Sequence, residues 1–306
     1  MDNIREKGRS SHGGSNRTVI LTVDVEDWFQ VENLKGCIPF ESWDSRELRV
    51  ERNVHVLLDL MDFVKARGSG ETKKAGATFF ILGWLAERLP HLVREIAARG
   101  HEVASHGYLH HLCSRLSADD LLTDLKRSKS LLEDITGLPV HGYRAPSFDI
   151  GLETLALIEA AGYSYDSSYN SFSGHGRYGK VDFTSFEKQG LAIRVSDSFY
   201  ELPVSNLNVN GRIIPWGGGG YFRMIPSTLF HAGVRKILRE EDAYLFYTHP
   251  WEFDPGQPRV DDIPWTFKFR HYIHLDKTKM KFSEFVKTFI DADYLTCNSY
   301  INQFCV

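Results

Sequence analysis

The chain has 306 residues, 42% of them hydrophobic and 25% charged, which is enough to bury a full hydrophobic core. A formal net charge of −4 argues against the basic surplus of a nucleic-acid binder. The four cysteines, Cys37, Cys113, Cys297 and Cys305, form no C-x-x-C pair, so neither a disulfide framework nor a zinc ribbon is expected and a reducing compartment is the simpler reading.

Residues 1–16 are polar and rich in Gly and Ser, and read as a disordered tail ahead of one domain over 17–306. The first residues lack the apolar stretch of a secretory signal, and no apolar run approaches the roughly 18 residues needed to span a bilayer, so a cytoplasmic protein is expected. Thr18 to Asp24 is a buried strand that ends in the acidic cluster Asp24-Val25-Glu26-Asp27. A helix follows over 51–67 with Gly68 as its stop, then a strand over 77–82 and a helix from about Trp84 to Gly100. Residues 102–105 form a strand that delivers His106. Ser117 and Asp120 make a capping box for a helix to about Ile135, ended by Gly137 and Pro139. Helix 151–161, strand 163–165, a Gly- and Ser-rich insertion over 169–194, strand 243–248 and helix 280–290 complete the reading. Alternating strands and helices predict an α/β fold with a parallel sheet or barrel. Asp24, His106, Asp166 and His249 all follow strands, and residues at the carboxyl ends of barrel strands share one mouth.

His106 and His110 are spaced i, i+4, so on a helical turn both imidazoles reach one ion; alone, the pair is as consistent with ordinary core or surface histidines. The acidic cluster supplies the carboxylate that a two-histidine site lacks, and a second acid to take a proton from water. Arg144, fixed next to Ala145-Pro146, suits bidentate orientation of a carboxylate. The run Gly217 to Gly220 matches no phosphate-binding pattern, and no G-x-S-x-G elbow is present.

Taken in order, these motifs resemble the polysaccharide deacetylase family, carbohydrate esterase family 4: Ala77-Thr-Phe-Phe-Ile-Leu-Gly83, Gly100-His-Glu-Val-Ala-Ser-His106 with His110, and Arg144-Ala-Pro146. Asp24-Val-Glu-Asp-Trp-Phe29, Tyr165-Asp-Ser-Ser168, Gly218 to Arg223, His249-Pro-Trp-Glu252 with Gln257-Pro-Arg259, and Phe269-Arg-His-Tyr272 are similar to the branch associated with exosortase and exopolysaccharide gene clusters. The resemblance implies a distorted (β/α) barrel of seven strands.

It also implies roles. Asp24 matches the catalytic base, Arg144 its orienting arginine, and His249 the general acid with Asp166 as its tuning carboxylate. The backbone N–H of Ser147 matches an oxyanion donor. His106 and His110 match the metal-binding histidines, and a divalent ion is implied, zinc first, with cobalt, nickel or iron also suited to such ligands. Valine stands at position 25, where the family usually places the third ligand, so Glu26 is taken as that ligand with Asp27 as fallback. Tyr221, Arg223 and Trp251 are assigned to the sugar. The implied reaction is N-deacetylation of an acetylated saccharide of an exopolysaccharide or O-antigen, or its precursor. The competing readings are an allantoinase-like amidohydrolase on a small amide, and a sugar-binding scaffold disabled by Val25.

Overall fold

The computed structural model describes residues 17–67, 75–172, 174, 179 and 181–305; the sequence-predicted tail, the stop at Gly68 and part of the 169–194 insertion lie outside them. The strands are, in chain order, β1 (Thr18–Val25), β2 (Thr78–Ile81), β3 (Glu102–Ser105), β4 (Gly142–Tyr143), β5 (Tyr165–Asp166) and the hairpin β6 (Glu187–Gln189) and β7 (Ala192–Arg194). After these come β8 (Tyr200–Glu201), the ribbon β9 (Asn206–Val209) and β10 (Arg212–Pro215), then β11 (Ala243–Thr248) and β12 (Asp293–Leu295).

Seven of them run parallel in the order β11-β1-β2-β3-β4-β5-β8, and the sheet curls into a half-barrel. Ser205, just past β8, reaches across the open side: its N–H donates to the Leu245 carbonyl (3.3 Å) and its Oγ accepts from the Leu245 N–H (2.9 Å). The seven-stranded distorted barrel expected from the sequence is therefore the observed architecture.

Period-two alternation decides what enters the barrel. On β1, Val19, Leu21, Val23 and Val25 face the helical layer, while Ile20 joins Phe80, Ala104, Tyr165, Leu202 and Leu245 in the interior cluster. Thr22 and Asp24 share the parity of Ile20, so the last inward position of β1 is a carboxylate at the carboxyl end of the sheet. Gly142 makes this interior possible: a Cβ there would lie 2.0 Å from Tyr165 Cζ.

The helices correct two boundaries. Pro90 splits the expected helix from Trp84 into Gly83–Arg88 and Pro90–Ala98, because a proline favours a helix start and cannot donate to the preceding turn. The late helix begins earlier, at Leu275, and runs to Thr288. Half of the expected capping box forms: Ser117 Oγ accepts from the Asp120 N–H (3.2 Å), while the Asp120 carboxylate accepts from the Ser117 hydroxyl (2.6 Å), and Gly137 ends Ala118–Thr136 at φ 68°. Among the described residues no helix is long and apolar enough to cross a membrane.

Candidate metal and acyl-transfer site

Glu26, His106 and His110 converge at the mouth of the half-barrel. Their ligand atoms all lie within 4.8 Å of one another, and all three residues are buried. Glu26 Oε1 is 3.1 Å from His106 Nε2 and 2.9 Å from His110 Nε2. The expected helical turn between the histidines is absent. Gly107 (φ 74°) and His110 (φ 57°) take left-handed conformations, and this loop, rather than an i, i+4 face, turns both rings inward. Lys35 Nζ holds the His110 carbonyl at 2.5 Å.

His106 Nδ1 is 2.7 Å from the Arg144 carbonyl, which can only accept, so Nδ1 carries the proton. His106 Nε2 then faces a carboxylate oxygen. Two acceptors at that separation need a cation or a proton between them, and two imidazoles with one carboxylate are a donor set suited to a divalent transition metal. Burial works against charge on Glu26, yet His110, His106 and His249 outweigh it and hold its carboxyl well below the usual range.

Asp27 does not share this centre. Its carboxylate accepts from the backbone N–H groups of Trp28 (2.8 Å), Arg49 (2.6 Å) and Val50 (2.8 Å), so it ties down the start of the helix Val50–Arg67. Burial above all pushes its pKa up to about 6.

Asp24 lies beside the triad. Arg144, fully buried, donates from Nη1 to Asp24 Oδ1 and to Thr22 Oγ1, both at 2.7 Å, and from Nε and Nη2 to the Ser167 carbonyl and Oγ, also at 2.7 Å. Its plane lies over the Phe80 ring at 4.2 Å. With Oδ1 engaged, Asp24 presents Oδ2 toward His249 Nε2 at 3.9 Å, across a cleft that Ser147 also lines at φ 57°.

The carboxylate that tunes His249 is not the expected one. Asp166 accepts from Ser168 Oγ (2.7 Å) and the Ser168 N–H (3.1 Å), and directly faces Glu201 across the β5–β8 pairing. Glu252 stands by His249 instead, with Oε2 3.7 Å from Nδ1 and accepting the His249 N–H at 3.0 Å. Burial disfavours the imidazolium, but Glu252, Glu26 and Asp24 together raise His249 to about 9. Glu252 falls to about 2 despite burial, chiefly through Arg223 and His249. Gly219 leaves the room: a Cβ there would lie 1.9 Å from Glu252 Oε2.

Two assigned sugar contacts are also corrected. Trp251 is the middle layer of a stack, with His249 at 5.1 Å and His271 at 4.3 Å on its faces, so neither face is open to a pyranose. Gln257 fixes the stack, its Oε1 2.8 Å from His271 Nε2. Arg223 is buried, donating to the carbonyls of His271 (2.9 Å), Ile273 (2.7 Å) and Arg270 (3.0 Å) and pairing with Glu252 at 3.3 Å. Tyr221 is half-buried, with the Arg270 guanidinium 6.0 Å from its ring. Arg223→Met should therefore lower unfolding free energy by about 3–5 kcal/mol, because it strands a buried carboxylate. Chemical denaturation measures this; a raised saccharide KM at unchanged stability would restore the sugar-binding assignment.

Residues 71–165 match the polysaccharide deacetylase family model, and residues 167–301 match a domain of unknown function, DUF3473. The Helicobacter pylori peptidoglycan deacetylase is 26% identical over 206 residues, 64% of this chain and 62% of its own. The peptidoglycan deacetylase-like protein FGM2 of Gibberella zeae is 37% identical over 98 residues, 32% of this chain and 28% of its own.

Over residues 71–165 the chain is similar to the polysaccharide deacetylases.

A Mycobacterium smegmatis structure provisionally called a polysaccharide deacetylase superposes with a TM-score of 0.59 at 21% identity, covering 98% of this chain and 94% of that one, and shares the fold. This chain thus spans 28% and 62% of the two curated relatives named. The two family matches meet at β5, so their boundary cuts the sheet rather than separating two cores. The deacetylase match contributes His106, His110 and Arg144, while the DUF3473 match contributes His249, Glu252, Arg223 and His271.

Proposed function

We propose that the chain is a metal-dependent N-deacetylase of acetylated saccharides, with residues 17–306 acting as one catalytic unit. The observation that carries this reading is the convergence of His106 Nε2 and His110 Nε2 on Glu26 Oε1, with a second carboxylate, Asp24, and a histidine raised to about 9 on the facing wall. Glu26, His106 and His110 would hold a divalent cation, zinc in first place. Held there, the ion would supply Lewis-acid polarisation of an acetamide oxygen and activation of a water near neutral pH.

The chain's own groups do the rest. Asp24, held by Arg144 through one oxygen, takes the water proton on the other. The Ser147 N–H supports the oxyanion. His249, charged at neutral pH, protonates the leaving amine as the C–N bond breaks, which gives acetate and a free amino sugar. Glu252 and Arg223 keep that proton available.

For substrate we infer an N-acetylated sugar of an exopolysaccharide or O-antigen, or of its precursor. The motif resemblance to the exosortase-associated branch supports this. The test is metal content and acetate release from N-acetylglucosamine oligosaccharides, for wild type and His106→Ala. Near-stoichiometric metal with acetate release, both lost in the variant, is expected. Bound metal without acetate from any acetylated saccharide would sink the reading.

A further inference from the structure

Ser167 of the motif Tyr165-Asp-Ser-Ser168 holds Arg144, but Asp166 and Ser168 are left without a task once Glu252 replaces Asp166 beside His249. The motif's hydroxyls and carboxylate nevertheless sit directly behind the metal centre. Asp166, Ser167, Ser168 and Glu201 are all fully buried. Register explains the placement: Ser105 pairs with Tyr143, Tyr143 with Asp166, and Asp166 with Glu201, so residues after these strand positions stack side by side.

One peptide group joins the two regions. The carbonyl of Arg144 accepts the His106 Nδ1 proton at 2.7 Å. The N–H on the other side of that same peptide bond belongs to Ala145, and it donates to Ser168 Oγ at 2.8 Å. In a trans peptide the C=O and N–H point in opposite directions within one rigid plane. Fixing the N–H end therefore fixes the carbonyl that orients His106.

Ser168 is itself fixed in three ways. Its hydroxyl donates to Asp166 Oδ1 (2.7 Å), so a lone pair is left for Ala145. Its N–H is shared by Asp166 Oδ2 (3.1 Å) and Glu201 Oε1 (3.0 Å). Glu201 also accepts the Tyr169 N–H at 2.8 Å. Two buried carboxyl groups here face one cation, Arg144, already committed to Asp24. Burial and the adjacent Asp166 push Glu201 well up, and burial raises Asp166 as well.

We propose that Ser168, anchored by Asp166 and Glu201, is a positioning residue for the metal ligand His106, acting through the Arg144–Ala145 peptide. Outer partners of metal-bound histidines typically alter affinity by about 10–100-fold, and this chain of bonds places Ser168 one peptide further out. The inference rests on the metal-site reading, but its experiment does not depend on acetate release.

Zinc affinity of the full chain is measured by chelator competition, and the His106 tautomer in metal-free protein by nitrogen-15 NMR. Ser168→Ala should weaken zinc by roughly tenfold and convert a pure Nδ1–H tautomer into a mixture. Ser168→Thr, which keeps the hydroxyl, should restore both. Unchanged zinc affinity and an unchanged tautomer in Ser168→Ala would overturn the proposal, however far thermal stability falls. If Ser168→Ala does not fold, Glu201 decides. Glu201→Gln keeps a neutral hydrogen-bonding group and should retain affinity, while Glu201→Ala should lose it; equal affinities refute the role. A wild type that binds no zinc but shows the tautomer shift in Ser168→Ala would count against the metalloenzyme reading and leave the positioning intact.

Discussion

Glu26→Gln should yield folded protein that has lost its metal, whereas Asp27→Asn should keep the metal and lose stability. The two acids are adjacent in sequence and both are buried, yet they serve different ends. Glu26 Oε1 sits within 3.1 Å of two imidazole nitrogens, and an amide at that place removes the charge that completes the donor set. Acetate release should fall by about 100-fold or more, since even outer-shell partners of a metal act on the 10–100-fold scale. Asp27 instead satisfies three backbone N–H groups at the start of Val50–Arg67. Losing its charge there should cost about 1–3 kcal/mol, read as a lower denaturation midpoint at unchanged metal stoichiometry. Metal analysis by mass spectrometry with parallel urea melts separates the two outcomes. Metal loss in Asp27→Asn together with retention in Glu26→Gln would move the third ligand to Asp27.

Much of the candidate metal site was legible because its signals are short-range. An apolar strand that ends in acids places Asp24 and Glu26 at one mouth, and the strand before His106 brings the histidines there too. Even so, the helical spacing argument brought His106 and His110 together for the wrong local reason, since positive φ at Gly107 and His110 does the turning. The barrel was legible from strand–helix alternation. The short strands β4 and β8 were not, because two residues between loops carry no period to detect.

Assignments that rest on distant pairing failed together. Nothing local to Asp166 reveals that its neighbour is Glu201, 35 residues later and beyond an irregular segment; strand register alone supplies that. Arg223 and Trp251 looked like ligands for a sugar because their partners, His271 and the carbonyls of 270–273, lie on a helix that folds back over them. Glu252 is different. A proline after His249 and an acid at i+3 form a capping pattern that closes a turn and brings the carboxylate beside the histidine. That signal was in the sequence, within His249-Pro-Trp-Glu252, and it outranks the remote Asp166.

Glu252→Gln should therefore shift the alkaline limb of the kcat profile to lower pH, at little change in metal content. The imidazolium of His249 is favoured by three carboxylates against the cost of burial, and it titrates at about 9. As a general acid it is active below that value, so kcat falls as pH rises through it. Removing the Glu252 charge leaves burial less opposed and lowers the pKa. A drop of about one unit corresponds to only about 1.4 kcal/mol of lost charge stabilisation, well within the reach of a buried partner. Stability should follow the same linkage: a folded pKa raised from an unfolded value near 6.5 contributes stability that is complete below that value and lost as pH rises through about 9. Wild type should lose stability across that window more steeply than Glu252→Gln. An unmoved alkaline limb in the variant would show that another group, not His249 supported by Glu252, delivers the proton to the leaving amine.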